Sequence, residues 1–310
     1  MNRISIAVLA SVIMVIGLSR SGFAVDFVVP SVSSNVDGNT YSFAGPAVHQ
    51  PYTMRYQQVY SASEFDYLTN SSGGWLFDVV FRGDATNGTQ LGLKMPTVQV
   101  NLSTTQRGPD GLSPTFSDNV GSDDTVVLSG QLNTGLVGGH RQGPEVWDFL
   151  VGFSKKLFFY NPTEGNLLLD VKVFQGNTNN NTFIPIVFDA VNVTNDSVSR
   201  VWSGDFLGDV NSPTGFVETI GLPTLFSFWP NPKLSVRLQT NSVVMSWPYP
   251  GALSAPLQTV LQSSPGLPPQ AQWQEVTNGI VTSNFVSTYT IPLESAGSAA
   301  YFRLVSTTPP

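Results

Sequence analysis

Apolar and polar residues alternate along much of this chain, most clearly between residues 147 and 174. The first half places apolar side chains at every second position: Trp147, Phe149, Val151 and Phe153. The second half repeats the pattern: Leu167, Leu169, Val171 and Val173. A period of two indicates half-buried β-strands, and the intervening Asn161-Pro162 and Gly165 are turn residues. The sequence therefore predicts a long hairpin whose apolar face must be covered by a second sheet.

The same alternation predicts further strands upstream. From Trp75 to Arg82, Trp75, Phe77, Val79 and Phe81 are expected to face the core, with Asp78 and Arg82 facing outward. Residues 106–124 are predicted to form a long polar loop. After the first two dozen residues, no long segment has apolar residues at helical spacing. We therefore expect an all-β protein with a large antiparallel β-sandwich or jelly-roll-like domain over residues 25–230.

A second pattern begins after Pro230-Asn231-Pro232, which predicts a stiff linker because proline fixes φ. Residues 233–306 contain six short alternating segments separated by turn residues, as expected of a small β-sandwich. Residues 307–310 are expected to form a disordered tail.

The first 24 residues form a predicted signal peptide. A basic start is followed by an apolar run from Ile4 to Leu18, with small residues before a cleavage site after Ala24. The alternative is an uncleaved anchor, but the run is shorter than the about 20 residues that span a bilayer. We therefore expect a secreted protein, extracellular or at the cell surface, with no membrane span after cleavage. Without cysteine, its core alone must stabilise it.

Charge narrows the choice of partners. Residues 25–232 carry nine basic and nineteen acidic residues. An acidic domain disfavours nucleic acid as a partner, because phosphates require a basic surface. It permits divalent cations, although solubility alone explains such a balance.

Three stretches resemble conserved regions of exported bacterial proteins of the PEP-CTERM (exosortase-sorted) type. They are RYQQVYSASEF (55–65), VNLSTTQRGPDGLSPTFSDNVGSDDTVVLSG (100–130) and FFYNPTEGNLLLDV (158–171). The resemblance implies export, a surface or matrix location, a β-rich body and no enzyme activity. The sorting tail of that family is absent from this sequence, which ends YFRLVSTTPP, so surface anchoring does not follow from the resemblance.

The second domain resembles the fibronectin type III-like modules of secreted bacterial proteins. The matching stretches are SVVMSWPYPG (242–251), TVLQSSPGL (259–267), AQWQEV (271–276) and AAYFRLV (299–305). The resemblance implies a spacer or interaction module, in which Trp247 and Trp273 have the size of core anchors.

No residue set predicts catalysis. His49 and His140 are isolated, and no G-x-S-x-G motif accompanies them. Asp148 and Asp170 occupy outward positions of the predicted hairpin and could face each other as a glycosidase pair, with Glu145 close by in sequence. Asp170 could instead pair with Lys155 or Lys172, and a solvated face is the favoured interpretation.

Two weaker sites remain as hypotheses. Asp118, Asp123 and Asp124 lie in one loop, and their oxygen atoms suit a structural Ca²⁺, although acids also serve ordinary turns. Trp202 and Asp205 form a candidate ligand-binding site in which the indole stacks on a sugar. The alternative is that Trp202 closes an end of the sandwich.

These patterns lead to one functional expectation. We expect a non-catalytic structural or adhesive protein of the bacterial cell exterior, with extracellular polysaccharide or surface proteins as partners. A carbohydrate-binding protein is the first alternative, and a secreted polysaccharide-active enzyme the second. The sequence determines neither the ligand nor the oligomeric state.

Overall fold

The computed structural model describes most of the chain after the predicted signal peptide. The described residues are 24–35, 38, 40–46, 53–69, 73–84, 91–137, 147–176, 185–203, 209–248, 258–266, 271–283, 286–292 and 301–307. They are mostly β-strand with antiparallel pairing, which confirms the all-β prediction. They divide into a first compact unit, Ala24–Pro230, and a second that begins at Asn231.

Fifteen strands and short helical turns make up the described part of the first unit. The strands are β1 Val25–Val29, β2 Thr40–Pro46, β3 Met54–Tyr60, β4 Gly74–Asp84, β5 Leu91–Thr105, β6 Thr125–Val137, β7 Trp147–Gly152, β8 Phe158–Tyr160, β9 Asn166–Gln175, β10 Pro185–Phe188, β11 Val191–Asn192, β12 Val198–Trp202, β13 Phe216–Glu218, β14 Ile220–Gly221 and β15 Thr224–Pro230. The helical turns are α1, Asp66–Thr69, and the 3₁₀ turns Ser31–Ser33, Ala62–Phe65 and Phe116–Asn119.

The strands of the first unit form two large antiparallel sheets. Sheet one has the order β1-β15-β4-β10-β2, with β7 and β8 also paired to β4. Sheet two has the order β13-β12-β3-β9-β5-β6. Strands β11 and β14 form a separate pair.

The main core lies between the two sheets. Its buried side chains come from alternating positions of both, among them Leu76, Val79, Phe81, Phe149, Phe226, Tyr56, Val98, Val100, Leu169 and Val171. Aromatic rings meet edge-on across the interface, for example Tyr60 and Phe226 with ring centroids 4.7 Å apart. Each fully buried apolar side chain of this size contributes roughly 1.5–3 kcal/mol, so this layer dominates the stability of the unit.

The predicted hairpin over residues 147–174 is wrong in its pairing, although both of its strands exist. Strand β7 pairs with β4 in sheet one, whereas β9 lies between β3 and β5 in sheet two. The turn at Asn161–Gly165 therefore carries the chain from one sheet to the other. Consequently Asp148 and Asp170 do not face each other on adjacent strands.

Residues 106–124 do not form a simple solvent loop, because they cover the outer face of sheet two. Phe116 and Leu112 pack there on Val59, Leu168 and Val201 in a second buried cluster. Both faces of the central strands of sheet two are thus buried, which explains why β9 is apolar at consecutive positions.

Asp170 is buried beneath this covering loop. Its carboxylate pairs with Arg55 at 2.6 Å and accepts a hydrogen bond from the Gln57 amide at 2.9 Å. The pairing predicted with Lys155 or Lys172 is therefore not observed. The Asn119 amide donates to Gln57 at 3.0 Å and so ties the loop to the strand.

Arg82, predicted to face solvent, is buried. Its Nε lies 2.8 Å from Asp189 Oδ2, and each side chain is 1 % exposed. The guanidinium also donates to the carbonyl oxygens of Ser33 and Ser34. A buried arginine is stable only with such partners, and here they come from distant parts of the chain.

The second unit contains seven described strands. They are β16 Ser235–Gln239, β17 Ser242–Pro248, β18 Gln258–Ser264, β19 Gln274–Glu275, β20 Ile280–Ser283, β21 Val286–Pro292 and β22 Tyr301–Thr307. Sheet three has the order β16-β17-β21-β20, and sheet four has the order β19-β18-β22. Met245, Trp247 and Leu261 are buried, whereas Trp273 is half-buried beneath Arg303.

Candidate functional site

A β-bulge in β4 shapes the outer face of sheet one. Leu76 lies opposite Phe228, and Asp78 lies opposite Ser227. Leu76 and Asp78 are two positions apart on β4, whereas Phe228 and Ser227 are adjacent on β15. Phe77 is the extra residue. A bulge leaves neighbouring residues on one side of the strand and shifts the alternation that follows.

The shift corrects the predicted orientation of this strand. Val79 and Phe81 are buried, as predicted. Trp75 and Phe77 are half-buried and lie outside the main core, so the prediction that they face inward is wrong. The bulge brings two large aromatic side chains to the outer surface.

Four aromatic side chains form a cluster on this surface. Trp75 lies directly opposite Phe159 of β8 on one side and Trp229 of β15 on the other. The Trp75 and Phe159 ring centroids are 5.1 Å apart, and Phe77 stacks on Trp229 at 4.0 Å with an interplanar angle of 21°. All four are half-buried. We call Trp75, Phe77, Phe159 and Trp229 the aromatic platform.

Asp78 is the acidic residue next to the platform. The Ser227 hydroxyl donates a hydrogen bond to its carboxylate, whereas its Oδ1 is buried and has no hydrogen-bond partner among the described residues. Burial raises the pKa of Asp78, and the nearby Asp26 carboxylate raises it further. Gly152 lies opposite Asp78 on β7, and the space above it is open. A half-buried carboxylate therefore lies beside the half-buried aromatic rings.

A groove continues from this face to the neighbouring edge of sheet two. It lies between β7 and β6 and has a volume of about 440 Å³. Its lining combines apolar and polar side chains with one glycine: Leu128, Leu132, Leu150, Gln131, Asn133, Asp148, Ser154 and Gly152. Gly152 also lies opposite Asp78, so the groove reaches the strand next to the residue that borders the platform. Its amide and carboxylate groups can exchange hydrogen bonds with a hydroxyl-rich molecule.

The structure places the predicted ligand residue Trp202 at the end of β12, away from the platform. Its ring packs against the main core and lies 6.4 Å from Phe216, and Arg200 lies over it at 5.6 Å. Its indole Nε1 is buried without a hydrogen-bond partner in the described chain. Packing against the core favours the alternative in which Trp202 closes the sandwich. Asp205 lies outside the described residues, so the site stays a prediction.

The three predicted calcium ligands each hold part of the covering loop. Asp118 accepts a hydrogen bond from the Ser113 hydroxyl, and Asp123 accepts one from the backbone amide of Thr104 at 2.7 Å. Both oxygens of Asp124 accept from the Asn101 amide. Among the residues that the structure describes, no three acids or histidines converge as metal ligands. The Ca²⁺ hypothesis stays a prediction.

Of the remaining candidate catalytic residues, one lines the groove and three lie outside the described residues. Asp148 lines the groove, where its Oδ1 accepts a hydrogen bond from the Gly83 backbone amide at 3.3 Å. Glu145, His49 and His140 lie outside the described residues.

Sequence reasoning missed the platform because it assigned two of its members to the core. One signal was available: Phe159 and Trp229 each follow a buried residue along their strand. Alternation therefore places both aromatic side chains on the outer face of the sheet. Trp75 and Phe77 needed the bulge, which the residue pattern does not reveal.

Comparisons with known proteins give no functional assignment, so the function must be inferred from the geometry of the site. The chain matches no family model, no curated protein and no solved structure. In the described chain, no helix has the length and apolar character needed to span a membrane.

Proposed function

We propose that this chain is an exported, non-catalytic adhesive protein that binds neutral polysaccharide through the outer face of sheet one. The aromatic platform is the observation that carries the proposal. Half-exposed aromatic rings on a rigid sheet offer apolar surfaces on which the C–H faces of a sugar can stack. Core packing does not account for these four rings, because they lie outside the buried core.

The polar groups around the platform favour sugar over other ligands. The half-buried Asp78 carboxylate lies beside the platform, and a carboxylate is a suitable acceptor for a sugar hydroxyl. Nucleic acid bases also stack on aromatic rings, but their phosphates require a basic groove. Asp26 and Asp78 lie on this face instead, so we expect a neutral glycan rather than an anionic one.

The groove extends the proposed binding surface beyond a single sugar. It begins at Gly152, next to Asp78, and presents Gln131, Asn133 and Asp148. A polymer crossing the strands from the platform into the groove would contact rings first and hydrogen-bonding side chains next. This arrangement supports binding of a chain rather than a monosaccharide.

Binding of the full chain to insoluble neutral polysaccharides, such as cellulose and chitin, tests the proposal. Trp229→Ala and Phe77→Ala should each weaken binding by roughly ten-fold or more. Stacking of a nucleic acid base on an aromatic ring is worth about 1–3 kcal/mol, and we expect a similar gain when a sugar ring stacks. Pull-down isotherms give the affinities, and melting curves of each variant verify folding.

Two exposed aromatic residues elsewhere provide controls. Tyr67→Ala and Phe216→Ala remove side chains that are 46 % and 64 % exposed and should leave binding unchanged. Loss of binding in the Phe216 variant alone would move the site to the Trp202 surface and contradict the platform. Failure of the unaltered chain to bind any neutral glycan would remove the proposal altogether.

A further inference from the structure

The connection between the two sheets of the second unit ends in an exposed Asn278-Gly279 pair. Residues 276–279 join β19 of sheet four to β20 of sheet three. The Val276 backbone amide donates a hydrogen bond to the Leu261 carbonyl oxygen at 2.9 Å, which fixes the start of the connection. Its end is fixed because β20 pairs with β21. The two exposed residues lie between these fixed points.

The fold requires glycine at position 279 for two reasons. The φ angle of Gly279 is +80°, in the left-handed region that residues with a Cβ rarely adopt. A Cβ added there would also lie 3.2 Å from Cε2 of the Tyr289 ring, whose centroid is 6.2 Å from that of the Phe302 ring. Asn278 is therefore followed by the one residue type that leaves its backbone nitrogen unshielded by a side chain.

Neither member of this pair is held by a hydrogen bond. The Asn278 side-chain amide and the Gly279 backbone N–H have no hydrogen-bond partner in the part of the chain that the structure describes. The Asp110-Gly111 pair of the covering loop shows the opposite case, because its Gly111 N–H donates to the Gly108 carbonyl oxygen at 3.0 Å. At Gly279 the backbone nitrogen is exposed to water and base instead.

We propose that Asn278 is a site of spontaneous covalent modification, at which the asparagine converts to a mixture of aspartate and isoaspartate. Asparagine is one of the thermolabile residue types, because its side-chain Cγ can be attacked by the backbone nitrogen of the next residue. The glycine that the fold requires offers this nitrogen with the least steric obstruction. The modification is independent of the proposed glycan binding, which belongs to the first unit.

The chemistry is a cyclisation followed by hydrolysis. After base removes its proton, the Gly279 backbone nitrogen attacks Cγ of Asn278. A new N–C bond forms, the bond from Cγ to the side-chain nitrogen breaks, and that nitrogen takes up a proton and leaves as ammonia. Water then opens the cyclic imide at either of its two carbonyl carbons. One opening gives aspartate, and the other gives isoaspartate, whose backbone is longer by one carbon atom.

Both products change the connection between the sheets. Each adds a negative charge close in sequence to Glu275, and isoaspartate also lengthens a backbone that is fixed at both ends. The longer connection must bulge outward or shift β20 against β21. In either case we expect the second unit to lose stability as isoaspartate accumulates.

Mass spectrometry of the full chain tests the proposal. The folded chain is incubated in mildly alkaline buffer, and cleavage after Glu275 and Glu294 then separates residue 278 from Asn241. We expect aspartate and isoaspartate to accumulate at position 278, at a rate that rises with pH because the deprotonated backbone amide is the nucleophile. Asn241 is the matched control: it is exposed in the turn between β16 and β17 of the same unit, but serine follows it. It should remain asparagine over the same time.

Three results would overturn the proposal. Conversion of residue 278 in the urea-unfolded chain but not in the folded chain would show that the turn protects Asn278. Equal conversion of Asn241 would show that the following glycine has no effect. Aspartate without isoaspartate would show direct hydrolysis of the side chain, with no attack by the Gly279 nitrogen.

A variant separates this site from Asn87-Gly88, the other Asn-Gly pair in the sequence, which lies outside the described residues. Asn278→Ser keeps that pair but cannot react at position 278. After equal incubation, we expect the melting temperature of the unaltered chain to fall further than that of the variant. An equal fall in both chains would assign the loss to another position and overturn the effect proposed for the connection.

Discussion

Asp78 shows how one residue couples the fold to the proposed binding site. Its carboxyl group is half-buried between Ser227 and the aromatic platform, and burial raises its pKa. A raised pKa in the folded state means that folding favours the protonated form. The contribution of Asp78 to stability is therefore present in acid and is lost as the pH rises through its folded-state pKa.

Replacing this carboxyl group by a neutral amide should reverse the loss. We expect Asp78→Asn to raise the free energy of unfolding at neutral pH by a small amount, since the asparagine does not ionise and solvent screens this partly exposed site. The gain should disappear below the ordinary aspartate pKa of 3.8. Urea titrations between acid and neutral pH measure it. Asp26→Asn, which removes an exposed neighbouring charge, should act in the same direction but less. A pH-independent effect of Asp78→Asn would contradict the argument.

The sequence predicts single residues well only where local pattern decides their environment. Val79 and Phe149 are buried as the alternation requires. Arg82 and Asp170 break the pattern, because each meets an opposite charge more than a hundred residues away along the chain, Asp189 and Arg55 respectively. Such pairs depend on tertiary neighbours that no local pattern encodes.

At the scale of elements, alternation predicted the strands but not their partners. The chain between Trp147 and Phe174 contains the expected strands, yet the turn at Asn161–Gly165 crosses between sheets instead of closing a hairpin. Turn residues allow the chain to reverse but do not specify which strand it meets next. The covering loop 106–124 was missed for a related reason: its few apolar residues bury against a sheet face distant in sequence.

That covering loop should contribute measurably to stability. Phe116 is fully buried against the outer face of sheet two, and Arg55 lies 4.7 Å from its ring. Phe116→Ala should therefore lower the free energy of unfolding by about 3 kcal/mol through the cavity that it leaves. The exposed Phe216→Ala should change it by less than about 0.5 kcal/mol. Urea denaturation of the full chain compares them, and equal effects would show that the loop does not pack as described.

At the scale of the whole molecule, the chain divides into two compact units, and both hydrophobic clusters of the described residues lie in the first. The first unit is all-β, as its composition and turn residues predict, and it carries the platform, Asp78 and the groove. The candidate binding surface could not be predicted at this scale, because strands β4, β7, β8 and β15 assemble it from positions far apart in the chain. Only their pairing brings the aromatic rings together.

The core clusters within the first unit predict that residues 24–230 fold alone and keep the proposed activity. The fragment should give a cooperative thermal transition and bind neutral polysaccharide with the affinity of the full chain. A fragment of residues 231–310 should not bind it. Circular dichroism and the same pull-down isotherms measure both properties. A cooperative but non-binding fragment would show that the second unit takes part in the site.

The bulge at Phe77 has an evolutionary consequence. A strand that lacked Phe77 would alternate strictly, with Trp75 still outward, Leu76 still inward and the pairing with β15 unchanged. The gain of a single codon thus accounts for the ring that stacks on Trp229. An added aromatic contact surface of this kind can arise in one genetic step without any change in topology.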